Sequence, residues 1–199
     1  MKEQDFLSVV SKLVEIIDGE TNNHVECVAK ISRILASGLP GLTSRNIEVL
    51  YTAALLHDIG KAGIGDSIIR KQGKLTEEEF TIVKTHTTIG GKMLSGSKSE
   101  ILQTAEIVAL QHHEKWDGSG YPSGLIGKNI HLFGRIIAIA DVFEALVNER
   151  PYKKAWAVAD AVDYIITRSG TQFDPELVAI FKDKHEEIVQ LIGEKDASI

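Results

Sequence analysis

The sequence HHEKWDGSGYP, at residues 112–122, is the stretch around which the rest of the chain is organised. It joins the end of an apolar helical segment to a loop rich in glycine. Two adjacent histidines at the end of a buried helix are unusual, but for such a pair alone the ordinary interpretation is core or surface packing. That interpretation changes because other histidines and carboxylates of this chain stand in the same kind of position.

The hydrophobic pattern outside this stretch has the period of amphipathic helices, and no segment alternates as a β-strand does. The pattern predicts an all-α fold, a single-domain helical bundle of about seven to eight helices. Segment 132–148 is apolar on most sides, which predicts a central helix. The predicted helices span residues 6–17, 20–36, 46–58, 76–86, 99–113, 132–148, 157–168 and 174–191.

Three helix starts carry recognisable capping residues. Thr43 or Ser44 can cap the helix at 46–58, and Thr76 has the capping-box spacing to Glu79. Asp174 followed by a proline is typical of an N-cap and first helical position. These signals fix where the segments begin more firmly than where they end.

The composition is that of an ordinary globular chain of 199 residues with 43% hydrophobic residues. No stretch approaches the ~18 consecutive apolar residues that a membrane span requires, so we expect no membrane insertion. A single cysteine, Cys27, fits a reducing cytoplasm. The net charge of −6 argues against binding DNA, RNA or anionic membranes. We divide the chain into an N-terminal helix at 1–19, a connector or dimer element packed on the domain, and a main domain at 20–199.

Histidines and carboxylates recur on the inner faces of the predicted helices. Glu20 and His24 are four residues apart and share one helical face. His57 and Asp58 follow the apolar run AALL, and Asp141 lies within the apolar run RIIAIADVF, where an unpaired carboxylate would be costly to bury. Each position alone also fits surface pairing, helix capping or an ordinary polar helix residue.

Taken together, these groups have one common explanation, a metal centre inside the bundle. Imidazole and carboxylate without a set of thiolates favour a catalytic transition-metal site over a structural zinc site. Eight candidates exceed the needs of one ion, so two or three ions are implied, and such a site activates water and stabilises charge on a phosphoryl group. Lys61 can neutralise a phosphate oxygen, or it is a solvated lysine. The candidate ligands are Glu20, His24, His57, Asp58, His86, His112, His113 and Asp141.

In the order and spacing of its motifs, the chain resembles the HD-GYP domains, a branch of the HD superfamily of metal-dependent phosphohydrolases. The resemblance extends from Glu20 to about Phe181, and the combination is specific although no single motif is. The matching stretches are LHDIGK at 56–61, KTH at 84–86, HHE at 112–114, DGSGYP at 117–122, GRI at 134–136, DVF at 141–143, RPYK at 150–153 and FDP at 173–175.

The resemblance implies a helical bundle that binds two or three divalent ions through the eight candidate ligands. Asp58 is expected to bridge ions, and Glu20 occupies the position associated with a third ion. Iron or manganese is the expectation for the family, while the ligand chemistry also accepts zinc, nickel or cobalt.

The implied activity is hydrolysis of a cyclic dinucleotide second messenger in bacterial signalling. The substrate expected is cyclic di-GMP, converted to linear pGpG and/or GMP by a metal-activated hydroxide. The resemblance gives catalytic roles to Asp58 and Lys61. It assigns substrate contacts to Lys61, Tyr121, Arg150 and Lys153.

The alternatives are a catalytically weak cyclic di-GMP receptor or protein-interaction module, and an HD phosphohydrolase acting on cyclic GMP-AMP or another nucleotide. Expected partners, besides the nucleotide, are a second copy of the chain or a diguanylate cyclase of the GGDEF type. Two positions depart from the family pattern: Cys27 stands where arginine is common, and Gly65 where proline is usual. Neither removes a ligand, and the Cys27 change bears on rate or affinity more than on metal binding.

Overall fold

The computed structural model describes residues 24–149 and 154–196, and over these ranges the chain is a bundle of α-helices. Eight helices have eight or more residues and one, α3, has four. This confirms the predicted all-α bundle, while the predicted helix at 6–17 and the element at 1–19 lie outside the described residues. The helices are α1 (His24–Ser37), α2 (Ser44–Ala54), α3 (Asp66–Ile69), α4 (Glu77–Lys84), α5 (His86–Leu94), α6 (Glu100–Gln111), α7 (Leu132–Val147), α8 (Val158–Thr167) and α9 (Pro175–Asp196).

The predicted capping residues begin their helices as expected. Thr43 and Asn46 form a capping box at the start of α2, with each side chain bonded to the other's backbone N–H at 3.1 and 3.0 Å. Thr76 and Glu79 do the same at the start of α4. At α7 the cap is His131, whose Nδ1 accepts from the backbone N–H of the second helical residue. His131 therefore has a structural role and lies outside the predicted metal set.

Two predicted segments differ from the observed helices. The segment 76–86 forms α4, which ends at Lys84, and a second helix that was not predicted, α5, begins at His86 and continues to Leu94. The segment 46–58 ends its α-helix at Ala54 and continues through turns into a 3₁₀ helix, Ile59–Gly63. Gly60 explains the second difference, because a Cβ at that position would lie 1.9 Å from the carbonyl oxygen of His86. The tight turn brings the backbone after Asp58 directly against the start of α5.

Helix α7 is the centre of the bundle, as its apolar sequence predicted. Ten of its sixteen residues are buried, and it packs against α1, α6, α8 and α9. No helix in the part of the chain described here is both long and apolar enough to cross a membrane. Residues on α7 can therefore meet side chains from most of the bundle.

A buried ion pair fastens α9 to α7. Asp174 accepts a hydrogen bond from the backbone N–H of Glu176 at 2.9 Å, which confirms it as the N-cap of α9. Its other carboxylate oxygen pairs with the Arg135 guanidinium on α7, and both side chains are largely buried. One carboxylate thus caps one helix and pairs with a cation on another.

Replacing Asp174 by alanine is expected to lower the free energy of unfolding by about 3–5 kcal/mol, because Arg135 would keep a buried, unpaired charge. Urea denaturation followed by circular dichroism measures this. The matched control is Glu100→Ala, which removes an exposed ion pair with Arg45 and should cost no more than ~1 kcal/mol. Equal losses in the two variants would contradict the role assigned to Asp174.

Candidate metal centre

Seven of the eight predicted ligands converge on one buried cluster in the middle of the bundle. They come from the start of α1, the turn after α2, the start of α5, the end of α6 and the middle of α7. Glu20 lies outside the described residues. The seven are His24, His57, Asp58, His86, His112, His113 and Asp141.

The cluster consists of two overlapping groups that share Asp58. In one group Asp58 lies with His86, His112 and His113, and in the other it lies with two histidines from α1 and the turn after α2. Within each group the nearest ligand atoms are within 4.8 Å of one another. Asp58 Oδ1 is 3.2 Å from His86 Nε2 and 3.5 Å from His112 Nε2. The opposite oxygen, Oδ2, is 3.3 Å from His57 Nε2.

The histidine rings are held by hydrogen bonds made at their outer nitrogens. Nδ1 of His57, His86 and His112 each contacts a backbone carbonyl oxygen three or four residues earlier, at 2.7–3.0 Å. A carbonyl can only accept, so each Nδ1 donates, and Nε2 is the nitrogen that each ring turns towards Asp58. With Nδ1 engaged in this way, Nε2 is the nitrogen left to bind a metal.

Two inward atoms of the cluster are buried without a hydrogen-bond partner among the described residues. They are Nε2 of His57 and Oδ1 of Asp58. An unsatisfied buried polar atom costs about 1–3 kcal/mol, more when the group is charged. Both atoms lie inside the cluster, where a bound cation would satisfy them. Imidazole together with carboxylate suits a divalent transition metal.

The electrostatics keep the carboxylates charged. Burial opposes ionisation of Asp58, but Lys61 and the neighbouring histidines hold its pKa well below the usual range. Burial likewise opposes ionisation of Asp141, yet nearby histidines lower its pKa to about 2. Burial lowers the pKa of His113 well below normal, so this ring is neutral at neutral pH. Burial opposes protonation of His57, but Asp58 raises its pKa to about 9, so metal binding there would release a proton. The cluster therefore offers anionic oxygens together with the neutral imidazole of His113.

A cavity of about 310 Å³ opens above the cluster, and two predicted substrate-contact residues line it. Lys61 reaches Asp58 Oδ2 with its Nζ at 2.9 Å. The Tyr121 ring packs on His113, with ring centroids 4.8 Å apart. Arg150 and Lys153, the other predicted contacts, lie outside the described residues.

Sequence reasoning missed several further residues that line the cavity, among them Phe80, Val83 and Tyr164. Phe80 and Val83 share one face of α4, and the Lys84 ammonium lies 4.8 Å from the centre of the Phe80 ring. The available signal was the apolar i, i+3 pair just before the motif histidine at residue 86. For Tyr164 on α8 the sequence held no comparable signal.

The glycine-rich loop is held in place by a buried glutamate. Glu114, 3% exposed, accepts the backbone N–H groups of Ser123 at 2.7 Å and Leu125 at 3.0 Å. Gly120 permits this loop conformation, since a Cβ there would lie 2.3 Å from the backbone nitrogen of Lys115. These contacts close the loop on the end of α6 and set Tyr121 beside the cluster.

Replacing Glu114 by alanine is expected to release the loop, because two charge-assisted hydrogen bonds worth about 1.5–3 kcal/mol each are lost. Hydrogen exchange at the Ser123 and Leu125 amides should become at least tenfold faster. Asp117→Ala is the matched control, since Asp117 makes an exposed turn with Ser119 in the same loop. Unchanged exchange at Leu125 in the Glu114 variant would show that another contact holds the loop.

An all-α bundle with histidines and aspartates clustered at its centre defines a recognised class of protein, the HD-type helical domain. The chain belongs to the HD domain family, whose model matches residues 8–177. The resemblance inferred from the motifs is confirmed at this level.

Relatives of known function are similar to this chain over most of its length. It is 40% identical over 193 residues to the cyclic di-GMP phosphodiesterase response regulator RpfG of Xanthomonas campestris, covering 97% of this chain and 51% of that protein. It is also 40% identical over 182 residues to the 3'3'-cGAMP-specific phosphodiesterase 2 of Vibrio cholerae, covering 92% of this chain and 35% of that protein. The chain thus spans about half or less of the length of these relatives.

A solved structure supports the fold independently. The structure of an HDG"Y"P protein from Bdellovibrio bacteriovorus matches with a TM-score of 0.65 at 20% identity, covering 82% of this chain and 51% of that one. At this identity the likeness shows a shared fold, in agreement with the predicted HD-like bundle.

Proposed function

We propose that this chain is a metal-dependent phosphodiesterase that hydrolyses cyclic di-GMP to linear pGpG and/or GMP. The observation that carries the proposal is the pair of ligand groups sharing Asp58 beneath a cavity lined by Lys61 and Tyr121. The similarity to a relative named a cyclic di-GMP phosphodiesterase supports the choice of substrate. Residues 20–199 form the proposed catalytic domain, with 1–19 as a connector or dimer element.

The proposed cofactor is a set of two or three divalent ions, iron or manganese, at the seven clustered ligands and Glu20. Zinc, nickel and cobalt are chemically acceptable to the same donors. Bound divalent ions lower the pKa of water and stabilise charge that develops on a phosphoryl group. Asp58 holds the centre together, because its two oxygens face different groups of histidines.

Lys61 is proposed to hold the scissile phosphate. Lys61 lines the cavity, and its ammonium group lies 2.9 Å from Asp58 Oδ2. A phosphate oxygen bound in the cavity would therefore lie near a positive charge. Tyr121 is the proposed neutral contact. Burial raises its pKa above the usual range, so the phenol stays protonated and can donate a hydrogen bond at neutral pH.

The walls of the cavity suit a nucleotide. Phe80 and Tyr164 present aromatic rings on which bases can stack, an interaction worth about 1–3 kcal/mol per base. Arg150 and Lys153 are proposed to bind the remaining phosphate charge, arginine through paired hydrogen bonds and lysine as a point charge.

A second candidate substrate is cyclic GMP-AMP, which the similarity to a 3'3'-cGAMP-specific enzyme favours. The same cluster and cavity would serve it, since the two molecules share their phosphodiester ring and differ in one base. A partner copy of the chain or a GGDEF-type cyclase remains part of the proposal.

The deciding experiment compares wild type with Asp58→Ala, each loaded anaerobically with Fe²⁺ or Mn²⁺ and incubated with cyclic di-GMP. We expect wild type to release pGpG or GMP, and the variant to lose bound metal and fall by at least 10³-fold in turnover, since both ligand groups lose their shared member. Asp66→Ala, on the exposed start of α3, is the matched control. Chromatography of products and metal analysis of the same samples give the readouts.

Turnover retained in Asp58→Ala would refute the assignment. Wild type with full metal content and no product from cyclic di-GMP, but product from cyclic GMP-AMP, would move the substrate to the second candidate. Metal-loaded protein that binds either nucleotide without hydrolysis would favour a receptor.

Neutralising Arg150 or Lys153 with glutamine is expected to raise KM by roughly 10- to 100-fold, the loss of one charge-assisted hydrogen bond. Bound metal should stay unchanged, because neither residue is a proposed ligand. Lys154→Gln, an exposed lysine next in the chain, controls for net charge. A fall in metal content instead would place these residues in the metal centre.

A further inference from the structure

One histidine of the cluster is held differently from three of the others. Nδ1 of His57, His86 and His112 contacts backbone carbonyl oxygens. Nδ1 of His24 contacts a side chain, the Oε2 atom of Glu144, at 2.5 Å. Mutation of a residue whose backbone carbonyl holds a ring leaves that carbonyl in place, whereas mutation of Glu144 removes the carboxylate that holds His24.

Glu144 is built into the bundle rather than placed on its surface. It lies on α7, three residues after Asp141, so both carboxylates face α1. Glu144 is 2% exposed, and its Oε1 accepts a hydrogen bond from the Asn148 side chain at 2.9 Å. Both carboxylate oxygens are therefore fixed in position.

His24 spans the gap between these two carboxylates. Its Nδ1 faces Glu144, and its Nε2 lies 3.5 Å from Asp141 Oδ1 on the cluster side. A carboxylate can only accept, so Nδ1 carries a hydrogen, and Nε2 is the nitrogen that faces the cluster. The contact to Glu144 thus sets the direction of the ring and leaves Nε2 as the nitrogen available to an ion.

The charge on Glu144 adds to this geometry. A hydrogen bond to an ionised acceptor is roughly twice as strong as a neutral one, and a carboxylate bonded to the outer nitrogen makes a ligating imidazole more basic. Burying a carboxylate is costly, so simple packing would be served as well by an uncharged side chain. His24 is a partner that gives this buried charge a use.

We propose that Glu144 is a positioning residue that orients His24 and tightens the ion position formed by His24, His57 and Asp58. This rests on the proposed metal centre. The ion position at His86, His112 and His113 does not depend on Glu144, because His86 and His112 are held by backbone carbonyls. Glu144 therefore controls one side of the centre and not the other.

The test measures metal rather than turnover. Wild type, Glu144→Gln and Glu144→Ala are stripped of metal and titrated with Mn²⁺, with bound metal counted and the electron paramagnetic resonance spectrum recorded. Glu144→Gln keeps an acceptor and loses the charge, whereas Glu144→Ala loses both. Removal of such a supporting contact typically weakens metal affinity by about 10- to 100-fold.

We expect the affinity of one ion per chain to fall in Glu144→Gln and to fall further in Glu144→Ala. In the alanine variant at limiting Mn²⁺, the spectrum should gain the six-line signal of a single uncoupled ion. His24→Ala should reproduce this loss. Asp174→Asn changes a buried carboxylate that pairs with Arg135 and is not one of the clustered ligands; this variant should lose stability and keep wild-type metal affinity.

Unchanged stoichiometry and affinity in Glu144→Ala, with metal bound by wild type, would overturn this inference alone. Equal loss of all ions in a variant whose circular dichroism is unchanged would also overturn it, since the effect would not be confined to one side. Wild type that binds no Mn²⁺ or Fe²⁺ would overturn the metal centre itself and the inference with it.

Discussion

The burial of Asp58 among histidine rings is the constraint on which the rest of the structure depends. A carboxylate at this depth is tolerated because Lys61 and the neighbouring histidines offset its negative charge. Holding those rings in place requires four different segments to begin, turn or end at one point. The Gly60 turn is one result, since it lets the backbone after Asp58 pack against the start of α5. The central helix α7 supplies the opposite wall with Asp141 and Glu144.

Much of the fold could be predicted from the sequence, because helical period and capping residues are local properties. The apolar run around Asp141 correctly indicated a central helix, and Thr76 with Glu79 marked the start of α4. Helix α5 was not predicted beyond His86, since Gly90 and Gly91 disfavour a helix locally. Tertiary contact supports the helix there, as the backbone of Gly60 packs against His86 and Gly90.

The sequence also indicated much of the candidate site. The residues that it did not indicate are those that only tertiary packing brings to the site. Histidines and aspartates at helix ends stood out because such residues are unusual on apolar faces. Glu144 did not stand out, since one glutamate three residues after Asp141 looks like an ordinary polar position until α1 is known to pack there. The aromatic walls at Phe80 and Tyr164 belong to helices far apart in the chain, and only their packing brings them to one cavity.

The contact between His24 and Glu144 joins residues 120 positions apart in the chain. Closing so long a loop costs conformational entropy before the contact compensates for it, and folds rich in such contacts fold more slowly. During synthesis, α1 leaves the ribosome before α7, so the first histidine of the cluster meets its carboxylate neighbours only after most of the domain has emerged. No short segment of the chain can therefore form the cluster by itself.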